Sequence, residues 1–140
     1  METDFIATCR KITAFNGNLV EMKRAVRNFE AEIQCLYPAP KETDYNAVFK
    51  AYREEMRQNK ACRDLCVCAI LYLLTPEVLC GELCKGRMRR RLAEELNMTM
   101  QGVSRIVHKV AEHYLLYSDF SAQVTEKANS YLSKKAIENE

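Results

Sequence analysis

From Ile12 to Leu36 the apolar residues fall alternately three and four apart: Ile12, Phe15, Leu19, Met22, Val26, Phe29, Ile33 and Leu36. Side chains at that spacing share one face of an α-helix, whereas in a strand they would scatter over both faces. The segment therefore reads as helix, and its stripe has two uses: the seam of a coiled coil, or the inner face of an amphipathic helix packed on its own domain. With Ile12, Leu19, Val26 and Ile33 at heptad position a, a parallel pair would set Lys11 against Asn16, Asn18 against Lys23, Ala25 against Glu30 and Glu32 against Tyr37. None of these joins opposite charges, which favours packing over a parallel zipper. Asn16-Gly17-Asn18 is a weak point in the helix or a turn. Residues 1–37 thus form an N-terminal amphipathic helical segment and a candidate dimerisation arm, ended by Tyr37-Pro38-Ala39-Pro40.

The same periodicity continues downstream. With only four glycines and three prolines, and 48% apolar residues, the chain predicts an all-α fold. About six or seven helices are expected, most of them in a helical domain over 43–135. One starts at Thr43 or Asp44 and carries Tyr45, Val48, Phe49, Tyr52 and Met56 on one stripe; Gln58-Asn59-Lys60 weakens the pattern before a buried run over 61–74. Thr75-Pro76-Glu77 reads as a capped helix start, and Gly86 is placed to stop that helix. Tyr117-Ser118-Asp119 opens a last helix with Phe120, Val124, Ala128 and Tyr131 or Leu132 inward, reaching about residue 135 before 137–140 fray.

The longest apolar run, LCVCAILYLL at 65–74, is about half of what a membrane-spanning helix requires, so no membrane partner is expected. The acidic start METDFIATCRK lacks a secretory pattern, and seven cysteines without export signals imply reduced thiols and a cytoplasmic location. Cys62 and Cys66 share a helix face, as do Cys80 and Cys84, but no close C-x-x-C pairs of the structural zinc type occur in loops. Buried cysteine acting as a small hydrophobe is the simpler reading, so no metal and no cofactor are expected. Two histidines stand outside any nucleophile or metal motif, and no phosphate-binding glycine loop occurs, so no enzyme is expected.

Charge is unevenly spread. Between Lys85 and Lys109 lie seven basic residues (Lys85, Arg87, Arg89, Arg90, Arg91, Arg105 and Lys109) against Glu94 and Glu95, which leaves +5 in a chain whose net charge is +2. The rest of the chain is therefore acidic, and this stretch is where an anion-binding surface would sit.

Within it, LAEELNMTMQGVSRIVHKV over 92–110 places two short helical patterns on either side of Asn97-Met98-Thr99. Leu92 and Leu96 face inward, and Ala93 supplies a small residue where a second helix can cross. Asn97 tolerates left-handed dihedrals, Met98 can fill the space beneath the turn, and Thr99 is a plausible N-cap. Val103, Ile106 and Val110 turn inward on the second helix.

Residues 89–110 resemble the helix-turn-helix of bacterial and phage repressors and activators. That pattern has a small residue, Gly or Asn four later, and apolar residues five, ten and thirteen later, here Ala93, Asn97, Met98, Val103 and Ile106. The resemblance implies a helix-turn-helix over 87–117 that binds double-stranded DNA as a transcriptional regulator, or as a phage or mobile-element protein. It further implies base contacts from Met100, Gln101, Arg105 and His108, and phosphate contacts from Arg89, Arg90, Arg91, Thr99, Ser104 and Lys109. Gln matches adenine and Arg matches guanine through paired hydrogen bonds in the major groove. A homodimer is expected, since one such unit covers a short half-site, and the N-terminal helix and the helix at 119–135 are the candidate dimer elements. The competing reading is a helical protein-interaction or assembly module without DNA binding.

Overall fold

The computed structural model describes residues 2–36, 40–81 and 83–138, and these residues form helices joined by short links, with no strand among them. In chain order they are α1 (Glu2–Leu36), α2 (Glu42–Met56), α3 (Lys60–Leu74), a 3-10 helix (Pro76–Cys80), α4 (Gly86–Leu96), α5 (Met100–Leu116) and α6 (Ser118–Glu138). The all-α expectation is met. The chain divides into two units, Met1–Pro38 and Ala39–Glu140.

The first unit is α1. The helix runs through Asn16-Gly17-Asn18 instead of turning there. One glycine costs about 1 kcal/mol of helix propensity, which the hydrogen-bond ladder on both sides outweighs. Every described side chain of α1 is exposed. That includes the stripe assigned above to packing: Ile12, Phe15, Leu19, Met22 and Val26 are 48–72% exposed. The side chains of Phe29, Ile33 and Leu36, and residues 37–39 of the proline link, lie outside the described residues.

In the second unit α2 begins at Glu42, a residue earlier than the sequence suggests, because the Asp44 carboxylate accepts the Lys41 backbone N–H at 2.9 Å. Asn59 caps α3 by accepting the Cys62 N–H at 2.8 Å, turning the polar break at 58–60 into a helix start. The stretch after α3 departs from expectation. Thr75 does not cap: its hydroxyl is buried without a hydrogen-bond partner, and the helix that follows is a single tight 3-10 segment. Gly81, at φ 99°, ends that segment in the left-handed region, so Gly86 is free to open α4 instead of stopping its predecessor. Cys80 closes the 3-10 helix while Cys84 lies in the link beyond it, so the two do not share a helix face. At the other end α6 continues through Ile137, and residues 139–140 lie outside the described residues.

α3 is the hub. Cys66, Val67, Cys68, Ala69, Ile70 and Leu71 are all fully buried, surrounded by α2, α5 and α6. A helix apolar on every side belongs at the centre of a bundle, and each large aliphatic side chain buried there contributes roughly 1.5–3 kcal/mol. Burial pushes the Cys66 and Cys68 thiols up to about 12. α6 closes the bundle through buried Val124 and Ala128 and through the Tyr52 hydroxyl, which donates to the Lys127 carbonyl at 3.1 Å. No described helix is long and apolar enough to cross a membrane.

Candidate functional site

α4 and α5 are joined by Asn97-Met98-Thr99, and the junction is built from the residues the sequence singles out. Asn97 sits at φ 52°, ψ 52°, the left-handed region, and is the one described non-glycine residue with positive φ. Its N–H reaches the Glu94 carbonyl at 3.4 Å while the Met98 N–H reaches the Ala93 carbonyl at 3.0 Å. This pair of bonds is a Schellman motif, which satisfies carbonyls left open at the end of α4. Thr99 then caps α5: its hydroxyl accepts the Gly102 N–H at 3.1 Å. A side chain on Gly102 would meet the Met98 terminal methyl at 3.0 Å, so the bare backbone there makes room for Met98 under the turn.

The two faces of the pair separate as expected. Leu92, Val103 and Val110 are fully buried and Ile106 nearly so, while Ala93, Leu96 and Met98 are half-buried against the same core. Gln101, Arg105 and His108 are exposed, Met100 is 38% exposed, and Ser104 is half-buried beside them. α5 therefore offers a polar outer face that begins at its capped, partially positive N-terminal end.

The basic residues fall into two groups that charge counting alone does not distinguish. Arg87 is paired with Glu42 and lies over the Tyr45 ring at 4.3 Å. Arg91 lies 3.6 Å from Glu42, 3.9 Å from Glu95, and 5.3 Å over the Phe49 ring. Glu95 also takes two hydrogen bonds from Arg53, at 2.9 and 2.8 Å, and these with the neighbouring arginine charges hold its carboxyl below the usual range. Lys109 reaches Asp64 at 2.9 Å, and Asp64, buried on α3, also holds Arg63. These cations fasten α4 to α2 and α5 to α3.

Lys85, Arg90 and Arg105 form the second group, exposed and without an ion pair among the described residues. Arg89 is intermediate: it is half-buried, and its Nε is buried without a hydrogen-bond partner. Of the phosphate-contact candidates, then, Arg91 and Lys109 are held by carboxylates, Thr99 spends an acceptor on its own helix, and Arg89, Arg90 and Ser104 carry no such tie to an acid. Sequence reading missed the acids Glu42, Asp64 and Glu95 as partners. Only Glu95 carried a local signal, four residues after Arg91.

The described residues contain no group of three His, Cys, Asp or Glu side chains placed to hold a metal ion. Burial pushes the Cys84 thiol up to about 11, the condition of a packed side chain and not of a reactive thiolate. No protein-family model, no curated protein and no solved structure matches the chain.

Proposed function

We propose that α4, the Asn97–Thr99 turn and α5 form a helix-turn-helix that binds double-stranded DNA with sequence preference and performs no chemistry on it. The observation that carries the reading is the exposed row Gln101, Arg105 and His108 on a helix whose opposite face is buried. Seated in the major groove, Gln101 pairs with adenine, Arg105 with guanine, His108 reads farther along, and Met100 meets a thymine methyl. Arg89, Arg90, Thr99 and Ser104 meet phosphate and fix register. Arg91 and Lys109 can join them only by giving up Glu42, Glu95 or Asp64, so their share of the phosphate contact is smaller. The protein then acts as a homodimeric regulator of transcription, or in a phage or mobile element, inside the cytoplasm.

Titration of mixed duplex DNA at several salt concentrations tests this. Affinity should fall steeply with salt as counterions are released, and Arg105→Ala should cost roughly 1–3 kcal/mol on the preferred sequence only. Absence of binding even at low salt would sink the reading. A second reading, a helical interaction module without DNA binding, is favoured by one observation: the exposed apolar stripe of α1.

A further inference from the structure

We infer that the α1 stripe is covered by α1 of a second copy of this chain, lying antiparallel along its full length. This names the surface behind the homodimer proposed above, and it rests on that half of the reading, not on DNA binding.

The case begins with need. α1 is a 35-residue helix, about 52 Å long at 1.5 Å per residue. Its described side chains are all exposed, among them Phe15 at 72% and Met22 at 66%. The apolar stripe exposed from Ile12 to Val26 spans about 21 Å of that helix, a surface made to be covered. Its period of alternate threes and fours is compatible with a helix paired with another helix along a common seam.

A second copy fits in one orientation better than the other. In a parallel pair each layer matches like with like: Phe15 meets Phe15, Met22 meets Met22 and Val26 meets Val26. The widest side chains then share one layer and the narrowest another. In an antiparallel pair at full overlap every layer joins an a residue to a d residue. Phe15 then lies opposite Val26 of the second copy and Leu19 opposite Met22, so in these central layers large faces small or equal faces equal, while toward the ends position 33 comes opposite Thr8.

Charge points the same way. The parallel arrangement sets no opposite charges together along its edges. The antiparallel one brings position g to position g: Lys11 comes opposite Glu32 of the second copy, twice by symmetry, while Asn18 meets Ala25. On the other edge Asn16 meets Lys23. Glu32 enters by its place on the helix, its side chain lying outside the described residues. No like charges meet on either edge.

The test is sedimentation equilibrium of the full chain under reducing conditions, without DNA, for the parent protein and three variants. Lys11→Glu and Glu32→Lys should each weaken dimerisation about tenfold, because each turns two attractive contacts into repulsive ones. The double variant Lys11→Glu/Glu32→Lys should return to within about twofold of the parent, since the pairs re-form with their signs exchanged. A parallel dimer never brings the two positions together, so single variants without effect, or a double variant without rescue, would overturn the orientation. A parent chain that stays monomeric at hundreds of micromolar would overturn the pairing itself. A dimer that fails to bind DNA leaves this inference standing and removes only the helix-turn-helix reading.

Discussion

α1 and α5 are both amphipathic helices with apolar residues at spacings of three and four, yet one stripe is exposed and the other is core. On α5, Val103, Ile106, Val107 and Val110 are buried. On α1, Ile12, Phe15, Leu19, Met22 and Val26 are exposed. Periodicity thus states that a helix has an apolar face and which residues compose it. It does not state where the partner of that face lies. The outer faces differ as well: α5 presents Gln101, Arg105 and His108 beside a basic edge, while α1 mixes Lys, Arg, Asn and Glu around its seam.

Cysteine chemistry gives the largest expected contrast between the regions. Cys9 on α1 is exposed, whereas Cys66 and Cys68 on α3 are fully buried, with thiols raised to about 12. Alkylation of the native protein should modify Cys9 faster than Cys66 or Cys68 by a factor on the order of a thousand or more, because the buried pair reacts only through opening of the bundle. Comparable rates, read by mass spectrometry of peptides, would mean that α3 is not the closed hub described above.

Leucine truncation comes next. Leu92→Ala should cost about 2–5 kcal/mol in urea unfolding, the usual range for a fully buried leucine. Leu19→Ala, at concentrations where the chain is monomeric, should change stability by less than about 0.5 kcal/mol. Equal losses would erase the distinction between the two stripes.

The junction is sharper still in what it tolerates. Asn97→Val should cost about 1–2 kcal/mol, because a β-branched residue fits the left-handed region poorly, while Asn97→Gly should be nearly neutral or better. Thr99→Ala should cost about 1 kcal/mol through the lost cap on α5. Thermal or urea melts of the three variants decide the order.

The smallest effect is acid sensitivity at the α2–α4 fastening. The folded Glu95 carboxyl titrates below its ordinary value of 4.5, chiefly through the Arg53 hydrogen bonds. A depressed carboxylate adds stability above its unfolded value and loses it as pH falls through the folded one. Below about pH 4.5 the parent should therefore lose stability more steeply than Glu95→Gln, which lacks the ionisable group. Parallel pH profiles of the two would show that the pair contributes nothing measurable.

Much of the helical pattern was legible because period and punctuation are local. The Asn97 turn, the Thr99 cap and the inward set from Leu92 to Val110 follow from residues within one or two turns of each other. What escaped depended on distant partners or on competing glycines. Gly81 took the left-handed stop that the sequence pattern assigns to Gly86. Arg91 and Lys109 looked like free cations beside Arg90 and Arg105, because Glu42 and Asp64 lie more than forty positions away in the chain. The polar row Gln101, Arg105 and His108 was legible as a row because its spacing of four and three is local to α5.

Only Tyr117 separates the end of α5 from the start of α6. Successive residues of a helix are rotated by about 100°, so one residue inserted at this hinge would turn α6 by more than a quarter of a circle. Val124 and Ala128 would leave the core together, along with the Tyr52–Lys127 bond. The links at 57–59 and 97–99 have three residues each, and this one has a single residue. Natural variation in length should therefore gather at the longer links and avoid position 117, which makes the α5–α6 corner the place where the chain keeps its count.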